Sequence, residues 1–313
     1  MRVPLSLWPG HCLSVPIGLS LYLKETQARK LQLPYCSRSA RAREMVDFVA
    51  ARLPTRQMRG LGDGGYATKD CLRRLPATVD VVSRLLVTGK LSDFPKPPLG
   101  PRRGCPPQKG PLRGSPKTLA RNRHGWQPHP SEAGAPGQAW EGLWQAVLPG
   151  RPIRVVVVRR PGAQRACKPG QRKPLPPVEA FFTTDLSLSL EAILAQYRDR
   201  WAVEITIRDT YAFAGLGQDQ CRKVERLVGA NTLRLVLAAA RTLWFMAYAH
   251  QAEGLALGRY RPWYRQQCAP SPLDIVWACR ETLHEAGVFP IPRFTPDLAK
   301  NHQEPENALP LAA

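Results

Sequence analysis

A run of helical periodicity between Leu190 and Phe213 constrains this chain more than any other feature. Leu190, Ile193, Leu194, Tyr197, Trp201 and Ile205 recur at steps of three and four, which predicts an amphipathic helix with one apolar side. Tyr197, Arg200 and Glu204 are also three and four residues apart, so an aromatic hydroxyl, a guanidinium and a carboxylate share one helix face. By spacing alone, Arg200 and Glu204 read as a surface ion pair worth under ~1 kcal/mol.

The partners of this helix are strands. Residues 153 to 160, IRVVVVRR, read as a strand from their β-branched content, and residues 178 to 184 as a further one. Residues 12 to 23 alternate Val15, Ile17, Leu19, Leu21 and Leu23 with smaller or polar residues and read as one or two strands, with Pro16 at a turn, bulge or edge. Residues 39 to 53 read as a helix with Ser39 as its cap, stopped by Pro54. Residues 58 to 61 read as a short buried strand, Gly62 to Gly65 as a tight loop carrying Asp63, and residues 68 to 75 as a short helix. An aspartate at the carboxyl end of a strand stands where open α/β sheets bind ligands. Taken alone, it reads first as a plain turn aspartate. Residues 78 to 94 continue with a strand. Residues 222 to 251 form a long helix whose apolar centre (Leu233, Val236, Leu237, Ala240, Leu243, Trp244) reads as core or partner-packing surface, and residues 272 to 286 a short one.

Composition narrows the partner. The 313 residues carry 45 Lys and Arg against 24 Asp and Glu, a formal charge of +21, which favours a polyanion such as DNA. Residues 95 to 150 begin as PKPPLGPRRGCPPQKGPLRGSPK, rich in Pro, Gly and cations, and read as a linker or a mobile basic arm. Arg102, Arg103, Lys109, Arg113 and Lys117 are its candidate phosphate contacts. Trp126, Trp140 and Trp144 predict some structure within it. Residues 259 to 267, RYRPWYRQQ, suit either stacking and phosphate contact or a plain surface segment. None of the eight cysteines has Cys-x2-Cys spacing, which argues against zinc and fits free thiols in the cytoplasm. No apolar run is long enough for a membrane span.

Two motifs carry a family resemblance. The stretch QYRDRWAVEITIRDTYAF, residues 196 to 213, resembles the Y-x2-R-x3-E-x6-K signature of insertion-sequence transposases with an Asp-Asp-Glu active site, and GDGGYATKDCLRRLP resembles the second-aspartate motif of that family. The resemblance implies an α/β, ribonuclease-H-like mixed sheet with flanking helices and an insertion between the second aspartate and the glutamate. It implies Asp63 and Glu204 as catalytic metal ligands, Tyr66, Tyr197 and Arg200 as supporting side chains, and Mg²⁺ (or Mn²⁺) as cofactor. The expected division is residues 1–94 and 151–251 for the catalytic domain, 95–150 for the insertion, and 252–313 for a basic, aromatic tail.

The implied chemistry is cleavage and joining of element ends. Two divalent ions roughly 3.5–4 Å apart activate the attacking oxygen and stabilise the leaving one, and a few hard carboxylate oxygens suffice to hold them. The sequence departs from the family twice. Tyr211 stands where the signature has lysine, and no aspartate precedes Asp63 except Asp47, which falls in a helix. The family's first strand and first aspartate are therefore expected to be missing, and strand transfer weak or absent. The expected partners are DNA ends, target DNA and further copies of the chain, with no membrane and no small-molecule substrate. The expected location is the cytoplasm, on the nucleoid when bound. The alternatives are a non-catalytic DNA-binding remnant and a metal-dependent nuclease of the same fold.

Overall fold

A computed structural model describes residues 2–4, 12–96, 104–105, 107–121, 125–128, 136–159, 178–220, 223–251 and 272–288. The short strands β1 (Arg2–Pro4) and β2 (Cys12–Ser14) pair antiparallel. Helices α1 (Glu25–Lys30) and α2 (Arg38–Arg52) follow. Strand β3 (Met58–Gly62) leads through a 3₁₀ turn, Gly64–Tyr66, to α3 (Lys69–Leu72) and β4 (Val79–Arg84). Next come β5 (Leu91–Ser92), β6 (Leu112–Gly114), α4 (Pro116–Leu119), β7 (Gln127–Pro128) and β8 (Pro136–Leu143). Strands β9 (Pro152–Arg159) and β10 (Val178–Thr183) precede α5 (Leu190–Asp199), α6 (Trp201–Ala214), α7 (Val224–Gln251) and α8 (Pro272–Glu285).

Eight strands form one mixed sheet in the order β3-β4-β10-β9-β8-β5-β6, with β7 paired to β8. Among the described strands only β3 and β4 run parallel, with Gly62 opposite Ser83. The other pairs are antiparallel. With its flanking helices this is the α/β, ribonuclease-H-like architecture expected from the sequence.

The sheet is buried on both faces, which is why β9 reads as an unbroken valine run and not as an alternation. Val155 and Val157 face a core shared with Val81, Ala180, Phe182, Leu72 of α3 and Trp144. Val156 and Val158 face the other core, with Val82, Phe181 and, from α5, Ile193 and Leu194. Each of these fully buried valines contributes about 2 kcal/mol of apolar burial.

The chain divides into two compact units. One holds what is described up to Ala238, and the other the rest of α7 with α8. In the second unit Phe245 and Ile275 are buried together, with Trp244 and Ala278 against them.

Several expectations are corrected. Of residues 12 to 23 only Cys12–Ser14 is strand. Beyond it Val15 is buried but Ile17 is exposed, so the alternation there finds no partner strand. Ser37, not Ser39, caps α2, its hydroxyl accepting from the Ala40 N–H at 3.1 Å. The single helix expected from Leu190 onward is two, α5 and α6, joined at Arg200. The apolar stripe leaves the core at that joint: Ile193 and Leu194 are buried, whereas Trp201 and Ile205 are exposed. The apolar side of α7 is exposed at Leu233, Val236 and Leu237, so of the two readings offered for it, core does not hold there and partner-packing surface stands. Within the basic stretch, β6, α4 and β8 are ordered, and β8 lies inside the sheet, where Gly137 to Leu143 pair with β9.

Candidate active site

Strands β3 and β4 run parallel, so their carboxyl ends meet at one end of the sheet. Asp63 follows β3 directly and caps the 3₁₀ turn, its Oδ1 accepting from the Gly64 N–H at 2.7 Å. The Ser83 hydroxyl of β4 donates to the Asp63 carbonyl at 3.3 Å. The loop is thus pinned by its neighbouring strand, and the Asp63 side chain is left exposed. Tyr66 closes the turn through its N–H on the Asp63 carbonyl. Its side chain is exposed and makes no hydrogen bond among the described residues.

Helix α5 starts at the Ser189 cap, whose hydroxyl accepts from the Ala192 N–H. Its buried Ile193 and Leu194 fix it on the face of the sheet that carries Val82 and Phe181. One turn further on, the Tyr197 ring packs on Phe181 with centroids 4.7 Å apart. The Arg200 guanidinium lies 5.5 Å from the Tyr197 ring centre, within reach of a cation–π attraction. Arg200 ends α5 and begins α6, and its Nη1 donates to Glu204 Oε1 at 2.7 Å.

Arg200 gathers the site. Burial disfavours its charge, but the hydrogen bond to Glu204 and the fields of Tyr197, Glu204 and Asp63 outweigh it, and its pKa is raised. Glu204 is bonded to this guanidinium, and the field of Asp63, 141 positions earlier in the sequence, reaches it more weakly. Tyr197 shares that guanidinium, as its spacing predicted.

The donor set fits a hard dication in kind. Each carboxylate keeps one oxygen without a hydrogen-bond partner among the described residues, Oδ2 of Asp63 and Oε2 of Glu204. Among the described residues no three His, Cys, Asp or Glu side chains gather as a metal site. An ion held by these two would take its remaining ligands from water or DNA oxygens, as Mg²⁺ commonly does.

Tyr211 lies two turns beyond Glu204 on α6. Its ring lies against Gly217, whose added Cβ would stand 2.7 Å from the ring carbon Cε1. Of the basic candidates, Lys109, Arg113 and Lys117 are exposed. Arg113 is shared with Asp93 at 3.2 Å. Arg102 and Arg103 lie outside the described residues. Sequence reasoning missed Phe181, which seats Tyr197, and Ser83, which braces the aspartate loop. Phe181 gave no signal beyond strand propensity, and Ser83 none, because both act through contacts between elements. Among the described residues no helix is long and apolar enough to cross a membrane.

A family model described as Transposase DDE domain matches residues 38–240, a span that holds both Asp63 and Glu204. Among curated proteins no relative matches the chain. With the mixed sheet, the two carboxylates and a match over more than half its length, the chain belongs to the insertion-sequence transposases with a DDE domain.

Proposed function

We propose that this transposase chain cleaves and joins DNA ends with divalent metal, Asp63 and Glu204 supplying two of the carboxylate ligands. The observation that carries this reading is that Asp63 and the Arg200–Glu204 pair stand at one end and one face of the sheet: Arg84, beside Gly64, pairs with Phe181, which seats Tyr197 one turn before Arg200. A bound Mg²⁺ or Mn²⁺ would supply Lewis-acid stabilisation of the attacking and leaving oxygens. The chain's own residues do the rest. Arg200 orients Glu204 by a charge-assisted hydrogen bond, and Tyr197 on Phe181 keeps the guanidinium in place. Lys109, Arg113 and Lys117 hold DNA phosphates, with Arg102 and Arg103 as further contacts in the same stretch. The partners are element ends and target DNA, with further copies of the chain assembled on them, in the cytoplasm at the nucleoid.

The test is calorimetric titration of Mg²⁺ and Mn²⁺ into the chain and into Asp63→Asn and Glu204→Gln. Saturable binding in the wild type, lost in both variants, is the expected result. Binding that survives both substitutions sinks the assignment.

A second reading, DNA binding without cleavage, draws on the Arg200–Glu204 ion pair, which neutralises the carboxylate that would ligate metal. Absence of metal binding with salt-sensitive DNA affinity intact selects it.

A further inference from the structure

We propose that Arg84 is a phosphate-binding residue of this site, one that holds the DNA backbone beside Asp63; the proposal rests on the DNA reading above. Arg84 is the last residue of β4. Gly62 pairs with Ser83 in the parallel register, so Asp63 and Arg84 leave their strands side by side at the same end. The contact is close: a Cβ added to Gly64 would stand 3.6 Å from Arg84 Cβ.

Arg84 also points to the right face. Alternation along β4 puts it on the face of Val82, and its antiparallel partner is Phe181, the residue under Tyr197. Tyr197 and Arg200 approach from the same face through α5. One end and one face of the sheet therefore carry Asp63, Glu204 and two guanidiniums.

The two arginines are held differently. Arg200 is mostly covered and is committed to Glu204. Arg84 is ion-paired with Glu179 of β10, and the pair is lopsided: the Glu179 side chain is 15% exposed and that of Arg84 46%. The carboxylate anchors the guanidinium from below and leaves most of it open. Arg84 makes no other hydrogen bond among the described residues. An arginine has five N–H donors, and its flat fork matches two oxygens of one phosphodiester. Neither the charge of the whole chain nor the signature motif identifies this residue. The sheet register does.

The test is fluorescence anisotropy of a short labelled DNA duplex titrated with the full chain over a series of KCl concentrations. Each phosphate contact adds about one to the dependence of log affinity on log salt. Arg84→Ala is expected to lower that slope by about one and to weaken binding, and Arg84→Lys to restore the slope because it keeps the point charge. Glu179→Gln leaves a hydrogen-bonding amide and removes the neutralising charge, so it is expected to tighten DNA binding. A merely structural salt bridge predicts no such gain. If Arg84→Ala fails to fold, Arg84→Gln takes its place beside Glu179→Gln. A wild-type slope in the folded charge-removing variant, with no gain in Glu179→Gln, overturns the role of Arg84 and leaves the DNA reading standing. A wild-type chain that binds no duplex overturns both.

Discussion

Glu204 and Arg200 show how much one hydrogen bond sets at this site. The guanidinium occupies one carboxylate oxygen, so it both orients Glu204 and competes with any cation approaching it. Arg200→Gln is therefore expected to tighten Mg²⁺ binding by about tenfold, the scale of one partly screened charge at a half-exposed site, while lowering DNA cleavage. Calorimetry and a cleavage assay on the same variant check the two halves. The position of Glu204 relative to Arg200 was legible in the sequence, because helix spacing alone fixes it. That the field of Asp63 reaches the same arginine was not, because nothing local links residue 63 to residue 200. Asp185 was missed as well. It follows β10, accepts from the Ser187 hydroxyl at 2.6 Å and pairs with Arg59. The Ser187 hydrogen bond first, with the Arg59 charge, lowers its pKa below the ordinary aspartate value despite partial burial. A lowered folded-state pKa stabilises the fold above the unfolded pKa and stops doing so as pH falls through the folded one. Asp185→Asn should thus cost about 1 kcal/mol near neutral pH, with the difference from wild type vanishing in acid. Melting curves against pH measure it.

The helix after Leu190 reads as one periodic element because Arg200 keeps right-handed helical angles, φ −54° and ψ −31°. The break comes from hydrogen bonding: the Arg200 N–H reaches back to the Tyr197 and Arg198 carbonyls, three and two residues away, and not four. Residue types carry no mark of that change. Strand β9, in contrast, was read almost to its ends, since eight residues so rich in valine have few other uses. The alternation in residues 12 to 23 misled because an extended segment shows a period of two whether or not a partner strand exists. The end of α6 offers a test at this scale. Gly215 adopts φ +70°, and Gly217 φ +74° with the Tyr211 ring against it. Gly215→Ala should cost about 1 kcal/mol from the left-handed backbone alone. Gly217→Ala should cost more, and Tyr211→Ala in the same chain should recover the excess. A double-mutant cycle by denaturant unfolding reads that coupling.

For the whole molecule, the excess of cations matters more than any single one. The +21 charge predicts steep salt dependence of DNA affinity. The structure refines how the basic stretch contributes. Lys109 and Lys117 are exposed, whereas Arg113 is partly neutralised by Asp93 and sits 5.9 Å from the Trp140 ring. Replacing all three with alanine should reduce the log–log salt slope by about two rather than three, measured by anisotropy across a KCl series. The sequence showed the polyanion preference. It did not show that part of this stretch completes the sheet, because the strand there, PGQAWEGL, holds two glycines and a proline and reads as loop until β9 is beside it.

The two helices around Arg200 are secured by different parts of the chain. Helix α5 is clamped by the sheet core, but α6 has Trp201, Val203, Ile205 and Ile207 exposed. One of its ties is a 3.3 Å contact of the Thr206 hydroxyl with the Ser14 carbonyl, across 192 positions of sequence, shared with the shorter bond of the same hydroxyl to the Ala202 carbonyl at 2.8 Å. Closing so long a loop is entropically costly and late. Glu204 therefore rides on an element that can open while the sheet stays folded. Amide hydrogen exchange should find α6 releasing its protons well before β9 does, so the glutamate would be set in place only when the two distant ends of this unit have met.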